Sequence, residues 1–504
     1  MNKLLPALIA VSTLALWGCQ PNHPSAETTA ATAAESPQAK PRAEQALLDD
    51  LAVANRILAR ELAILDVQGH VTARSRTNPN HYYIARFIAP GAVTTSDFVE
   101  NDLDSRPVDG PRNDQAREIY LHGEIYKARP DVMAVVHAHT PEFVAFGLSS
   151  VPLWNGDSML PVFDLRPFNN GRSGIISTPA LGKAMADKMR TSEAVLLWGH
   201  GIALGAGSIA DAITRVSQLR DSAREQQATI ATGGTWKPQP HPVDAADTER
   251  TWTYYKEGVV ADMGGKVLRE APPSAEKPSD PVERAKRDVV VANRILASDD
   301  VEVLGTVGTV SVRNPMNPNS YFVAPKVAAG AVTANDVVER DITKGEPDTE
   351  GLSTHDEIYK SHPDVKAVLY ARTPEVVALS GSVPLRAAVN GGNFIGSGLP
   401  VVTDRSGQAV AAALDRKGAV LLSGHGIVLA AGSIYNLVDR AFQVRQNALI
   451  QQQALALRGK VTYLVDLPLP AVARQEAAAP AQPAQQLGPP EGRGWVYWAE
   501  NVSR

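Results

Sequence analysis

The stretch His122-Gly-Glu-Ile-Tyr-Lys-Ala-Arg-Pro-Asp-Val-Met-Ala-Val-Val-His-Ala-His-Thr-Pro141 carries most of what the chain says about its fold. Its middle, Asp131 to His137, is an apolar run of strand length that ends on two histidines flanking Ala138. Side chains at i and i+2 point to the same face of a strand, so His137 and His139 can reach one ion. By itself a His-x-His pair is at least as much at home on a solvated strand end. A third histidine, His200, closes another apolar run, Ala194 to Trp198, and sits between two glycines. Glycine there lets the backbone turn and lets a ligand approach closely. Three neutral imidazoles around an open fourth position suit a catalytic zinc rather than a structural one. Spacing alone does not bring His200 to the other two.

Outward from this stretch, the chain repeats itself. Val53-Ala-Asn-Arg-Ile-Leu-Ala59 recurs as Val291-Ala-Asn-Arg-Ile-Leu-Ala297, and Gly91-Ala-Val-Thr94 as Gly330-Ala-Val-Thr333, with Asp97 matching Asp336. Glu124-Ile-Tyr-Lys127 recurs as Glu357-Ile-Tyr-Lys360, and Gly199-His-Gly-Ile202 as Gly424-His-Gly-Ile427, each of the latter followed by Ala-Gly-Ser-Ile. Order is kept and spacing drifts little, so two copies are expected, at 44–238 and 282–465. Within a copy the pattern is α/β. Ala46 to Leu65 has helical apolar spacing, and Ser208 to Thr229 reads as a second amphipathic helix with Ser208 as N-cap. Residues 239–281 read as a linker whose Trp252-Thr-Tyr-Tyr255 patch docks on a domain surface. Residues 466–504 read as a Pro/Ala/Gln-rich tail, with Trp495-Val-Tyr-Trp498 able to dock.

Composition narrows the function classes. At 504 residues, with 44% hydrophobic and 20% charged, the chain can bury substantial cores. A formal net charge of -5 gives no basic excess for a phosphate backbone, which excludes nucleic acid as the expected partner. The single cysteine, Cys19, rules out a disulfide framework and Cys-ligated zinc, so any metal site must use His, Asp and Glu. Residues 1–18 read as a signal peptide: a positive start, then an apolar run too short to span a bilayer comfortably. Leu16-Trp17-Gly18-Cys19 resembles the bacterial lipobox, which implies cleavage before Cys19, lipidation of its thiol, and a periplasmic protein anchored to the outer membrane by that lipid alone. Residues 19–43 read as a disordered tether.

The opening stretch, followed by Gly199-His200-Gly201, resembles the class II aldolase/adducin family, and the resemblance covers both copies. It implies two tandem three-layer α/β/α domains, each with a mostly antiparallel central sheet. It also implies that His137, His139 and His200 bind one divalent metal per chain, with zinc foremost and iron, manganese or cobalt also accommodated, and that Glu124 is the acid/base. Gly69-His70-Val-Thr-Ala-Arg74 and Pro161-Val-Phe-Asp-Leu-Arg166 look closest to the decarboxylase-like members acting on hydroxy-carboxy-muconic semialdehydes. The sugar-phosphate aldolases carry a Gly-Asn-x-Ser phosphate loop where His70 stands here, which turns the expectation away from phosphorylated sugars. His70, Arg74 and His122 are then candidates for holding a small-molecule substrate, Arg74 because a guanidinium pairs with a carboxylate; each could equally be structural.

In the second copy the aligned positions of His137 and His139 are Tyr370 and Arg372. Only Glu357 and His425 remain, so this site is expected to be metal-free and locked by an Arg372–Glu357 pair. The resemblance further implies an interface site, so the copies are expected to pair and a homo-oligomer is allowed. The expected function is a metal-dependent lyase acting by aldol cleavage or decarboxylation through a metal-bound enediolate, on a small hydroxy or keto acid. The alternatives are a non-enzymatic, adducin-like binding or scaffold protein and, as a minority reading, a non-heme iron oxygenase.

Overall fold

Helix α1 (Arg42–Glu61) has the spacing of a helix that buries one stripe: Leu47, Leu48, Leu51, Ala54 and Leu58 are all buried. In this computed structural model the residues described are 41–62, 68–168, 174–237, 243–271, 277–305, 307–344, 351–381, 383–466 and 491–502. The leader, Cys19 and nearly all of the tether therefore lie outside the described residues. After α1 the first copy continues through β1 (Gly69–Arg74), β2 (His81–Ala85) and β3 (Phe98–Asp102), then α2 (Ile119–Ala128), β4 (Ala134–Ala138) and α3 (Pro141–Leu148). A small hairpin, β5 (Trp154–Asn155) and β6 (Ser158–Met159), precedes β7 (Val162–Phe163), α4 (Pro179–Met189), β8 (Ala194–Leu197), β9 (Gly201–Ala206) and α5 (Ile209–Ala231). Ser208 caps α5 by accepting a hydrogen bond from the Asp211 amide at 3.0 Å, an arrangement worth about 1 kcal/mol.

The sheet runs β3-β2-β1-β4-β9-β8-β7. Strand β4 is fully buried, and its alternation sorts side chains into two layers. Ala134, Val136 and Ala138 pack with α1 and α5, whereas Val135 packs with Leu121 and Ile125 of α2 and Met185 of α4. Both faces are thus covered by helices. Leu58 is fully buried in the first of these layers, and its truncation to alanine would cost roughly 2–5 kcal/mol. The expectation of a mostly antiparallel sheet needs correction, because the sheet is mixed. Strand β7 runs parallel to β8 while the other neighbours are antiparallel. The reason is topological: α4 lies between β7 and β8, and a helical crossover returns the chain in the same direction.

The second copy repeats the plan through α7 (Pro281–Ala297), β10 (Gly308–Arg313), β11 (Ser320–Val323), β12 (Val338–Asp341), α8 (Leu352–Ser361), β13 (Ala367–Ala371) and α9 (Pro374–Ala378). It closes with β14 (Val401–Val402), α10 (Gly407–Ala413), β15 (Ala419–Leu422), β16 (Gly426–Ala431) and α11 (Ile434–Ala456). Its sheet order, β12-β11-β10-β13-β16-β15-β14, is the same, and so is the register: His70 faces His137 in one copy as Thr309 faces Tyr370 in the other.

Each copy carries one helix more than the motif comparison indicated. Helix α6 (Ala245–Asp262) packs on α1 and α5, with Trp252 buried in the first core and Tyr255 Oη 2.9 Å from Ser217 Oγ. Helix α12 (Arg493–Val502) packs on α7 and α11, with Trp495 against Tyr435 and Trp498 against Phe442. The pattern Trp-x-Tyr-aromatic recurs in both, as Trp252 to Tyr255 and Trp495 to Trp498. No helix among the described residues is long and apolar enough to cross a membrane.

Among the described residues the copies touch along two lines. Val144, Ala145 and Leu148 of α3, with Trp198, form one apolar cluster with Ala388, Val389 and with Ile450 and Ala454 of α11. Gln227 donates to the Gln453 carbonyl at 2.9 Å beside it. Along the second line, Ala89 of the first copy belongs to the core that holds Trp495 and Trp498. A Cβ on Gly91 would stand 2.4 Å from the ring of Tyr497, so only glycine lets this tyrosine lie where it does.

Candidate metal centre

The centre forms where three segments end. Strand β4 directs His137 toward the α2/α4 layer, beside His70 of β1, while His139 lies just past the strand end. His200 occupies the turn from β8 into β9. Gly199 makes this turn possible at φ +60°, and a Cβ on Gly201 would lie 2.4 Å from the Ala138 carbonyl oxygen and 2.9 Å from His139 Cδ2. Glu118, immediately before α2, brings a carboxylate to the same point.

Glu118, His137, His139 and His200 are all buried, and each offers a ligand atom within 4.8 Å of the others. Glu118 Oε2 lies 3.1 Å from Nε2 of both His137 and His200, and His139 Nε2 lies 2.8 Å from His137 Nε2. The other carboxylate oxygen of Glu118 accepts from the Ile176 amide at 3.0 Å. His137 Nδ1 donates to the Ile202 carbonyl at 2.9 Å, which leaves its Nε2 lone pair for the centre. Burial holds His139 well below the ordinary histidine pKa and so keeps it in the neutral, ligating form. For Glu118 burial works upward, but the charges and hydrogen bonds of His200 and His137 outweigh it and hold the carboxyl well below its usual range. Three imidazoles and one ionised carboxylate, all buried and on a common point, are a donor set that fits a divalent ion of the zinc or iron type.

The structure brings His137, His139 and His200 together and places Glu124 elsewhere. Glu124 pairs with Lys127 at 2.7 Å, so the carboxylate at the centre is Glu118 and not Glu124. About 100° per residue sets the two glutamates on different sides of the helix. Glu118 left one trace in the sequence: it precedes His122 by four, the spacing that puts two side chains on one helix face. Arg74 is held by the backbone. Its guanidinium donates to the carbonyls of Val132, Tyr126, Arg129 and Pro79 and lies 4.9 Å from the Tyr126 ring. Arg313 of the second copy makes the corresponding contacts with Val365, Tyr359, His362 and Pro318, so in both copies this arginine ties the sheet to the helix.

His70 lines the cavity beside the centre, and His122 stands behind it, fully buried. His70 Nδ1 is 3.1 Å from His122 Nε2, His122 Nδ1 is 2.9 Å from Thr72 Oγ1, and Thr72 Oγ1 is 2.9 Å from Tyr126 Oη. Burial lowers His70 to about 3 and His122 well below the usual range, so this chain of groups is uncharged. The cavity measures about 490 Å³, and its lining crosses from the first copy to the second: Val389, Gly391, Asp439 and Gln443 face His139 and His200, and Arg493 of α12 joins them.

In the second copy the equivalent of Glu118 is Gly351, which follows from matching Glu357-Ile-Tyr-Lys360 to Glu124-Ile-Tyr-Lys127. Tyr370 and Arg372 replace the two strand histidines, and Tyr370 Oη lies 2.8 Å from His425 Nε2. The expected Arg372–Glu357 lock is absent among the described residues: Glu357 pairs with Lys360 at 2.8 Å and Arg372 is exposed. A tyrosine–histidine hydrogen bond takes its place.

A family model described as Class II Aldolase and Adducin N-terminal domain matches residues 49–227 and 287–452. Decarboxylase tropJ of Talaromyces stipitatus is 27% identical over 187 residues, covering 33% of this chain and 70% of its own. A 3,4-dihydroxyphthalate decarboxylase of Arthrobacter keyseri is 28% identical over 208 residues, covering 38% of this chain and 81% of its own. Among the similar curated proteins, the chain spans between 51% and 81% of the relative's length. The solved L-fuculose 1-phosphate aldolase from Glaciozyma antarctica PI12 is 20% identical with a TM-score of 0.35, over 46% of this chain and 97% of that one.

Proposed function

Since the chain belongs to the class II aldolase and adducin family, matched in both copies, we propose that it is a metal-dependent lyase that breaks a carbon–carbon bond in a small hydroxylated carboxylic acid, decarboxylation being the reaction of first choice. The observation that carries this reading is the convergence of Glu118, His137, His139 and His200 at one buried point. The decarboxylase names of the relatives support the choice of bond.

His137, His139 and His200 would hold the cation, with Glu118 completing the set. A divalent ion there supplies Lewis-acid polarisation of adjacent substrate oxygens, which stabilises the charge left when a carbon–carbon bond breaks. Glu118 stays ionised beside the imidazoles, so it can accept a proton at Oε2 during the reaction. His70 is fixed through Nδ1 by the His122–Thr72–Tyr126 chain, which leaves its Nε2 to deliver or receive a proton on the cavity side. The second copy acts as a wall in cis, its Val389, Gly391 and Gln443 helping to keep water from the reacting carbon. This part of the reading includes export and lipid anchoring through Cys19, supported by the sequence of residues 1–19.

The test is metal analysis of the dialysed chain together with carbon dioxide and aldehyde release from a panel of hydroxy-aromatic and hydroxy-keto acids. About one ion per chain and metal-dependent release support the lyase. A chain that retains no ion under any condition supports the scaffold reading instead.

A further inference from the structure

Each copy is followed by a helix of its own, and the two helices read alike: Arg250-Thr-Trp-Thr-Tyr-Tyr255 of α6 matches Arg493-Gly-Trp-Val-Tyr-Trp498 of α12. They are also seated alike. Matching Ser208 to Ser433, the N-caps of α5 and α11, makes Tyr435 the counterpart of Ala210 and Phe442 that of Ser217. Trp495 packs on Tyr435 and Trp498 on Phe442, while Trp252 lines a cavity with Ala210 and Tyr255 Oη meets Ser217 Oγ at 2.9 Å. With both anchors equivalent, Tyr254 and Tyr497 project from the same place on their respective copies.

Their surroundings differ. Tyr497 of the second copy's helix lies against Gly91 of the first copy, whereas Tyr254 is 71% exposed. The hollow that would match Tyr254 is bare as well: Gly330, the counterpart of Gly91, is exposed, and among the described residues the nearest atom to a Cβ built there is Ala297 Cβ at 3.7 Å. The contrast continues along the same face. Ala145 and Trp198 are buried in the apolar cluster where the copies meet, but Ala378 and Ser423, at the equivalent places, are exposed. The contact between the copies therefore runs one way, from α11 and α12 of the second onto the first. A one-way contact leaves one unused half at each end of a tandem chain, and it repeats until a ring closes.

We infer that the chain associates head to tail with a second copy of itself, Tyr254 of each docking on Gly330 of the other, so that two chains close a ring of four copies. The contact already made within the chain is the template, and the one between chains continues it. Its composition makes it the weaker of the two. Ile450 and Ala454 of α11, which belong to the apolar cluster between the copies, correspond to Glu225 and Thr229 of α5, and Trp198 corresponds to Ser423. Less apolar surface leaves water there, so two chains separate on dilution while the copies within a chain stay joined.

The experiment is sedimentation equilibrium of the full chain over a dilution series. The mass of two chains is expected, falling toward that of one on dilution. Tyr254→Glu and Gly330→Leu should each weaken association roughly tenfold or more, the usual worth of an aromatic anchor. Both positions are exposed, so circular dichroism should match the wild type in each variant. Mixing the two variants should restore a two-chain species in part, because one intact Tyr254–Gly330 contact forms between them. The mass of one chain throughout, or a two-chain mass indifferent to both substitutions, would overturn the inference. Masses beyond two chains would overturn the closed ring, and variants that stay apart on mixing would overturn the head-to-tail order.

Discussion

Glu118 and His200, 82 positions apart in sequence, bring a carboxylate oxygen and an imidazole nitrogen to 3.1 Å of each other. Glu124, inside the helix that Glu118 precedes, is committed to Lys127. The two glutamates should therefore behave differently. Glu118→Gln should lower turnover by roughly 10²–10⁴-fold, the usual worth of a positioned proton-transfer group, whereas Glu124→Gln should stay within about twofold. Steady-state rates on the best acid from the panel decide this, and equal losses in the two variants would refute the assignment.

Metal content should follow the first copy alone. The dialysed chain should hold about one zinc or iron, read by plasma mass spectrometry. His139→Ala should lose it, while His425→Ala in the second copy should change nothing, because Tyr370, Arg372 and Gly351 leave His425 without partners for an ion. Two ions per chain would contradict the reading of the second copy.

Acid should destabilise the metal-free chain from mildly acidic pH downward. The unfolded chain protonates His122 near 6.5, whereas the folded chain, having buried it, does so only well below that value. Between the two the unfolded state carries the extra proton, so stability falls with falling pH by about 1.4 kcal/mol per unit for this one group. Chemical denaturation between pH 7 and 5 should show a slope to which the likewise depressed His70 and His139 add, and His122→Asn should reduce it by this one group's share. An unchanged slope in the variant would count against the buried neutral histidine.

Arg74 should be a stability residue. Replacing it with methionine leaves the carbonyls of Val132 and Tyr126 without their donor, at a cost of about 3 kcal/mol. The midpoint of urea unfolding should drop accordingly while KM of the remaining folded enzyme holds. A raised KM at unchanged stability would restore Arg74 to the substrate.

A side chain at Gly91 should undock α12. Gly91→Val should leave metal content intact, shift tryptophan emission as Trp495 and Trp498 become hydrated, and lower activity at least tenfold. Wild-type emission and activity in this variant would show that the helix is not held there.

The sequence made the three histidines legible because each stands at a place where geometry is simple: two at i and i+2 on a strand end, one between glycines at a strand turn. It also revealed the duplication, since identical heptads and tetrads need no three-dimensional reasoning. Glu118 was harder to see. Next to Arg117 and before the helix proper, it reads as part of a solvated charged pair, while Glu124 sits within a motif shared by both copies. For Arg74 the sequence leaves both roles open, because a guanidinium that satisfies four carbonyls and one that grips a substrate look alike in one dimension. The cavity wall left no local trace at all: Val389, Asp439 and Arg493 meet His139 only through packing between copies, and no periodicity encodes a contact across hundreds of residues.

Tyr497 resting on Gly91 gives the order of synthesis a meaning. A ribosome that has passed residue 200 has already produced every donor to the ion, but a growing polypeptide at that stage has half a pocket. Only when the final helix emerges and seats its tyrosine does the chamber gain its remaining arginine. Every donor of the cluster is thus encoded before residue 201, whereas Arg493, which lines the cavity beside them, belongs to the last described helix, so the chamber wall is completed long after the donors themselves.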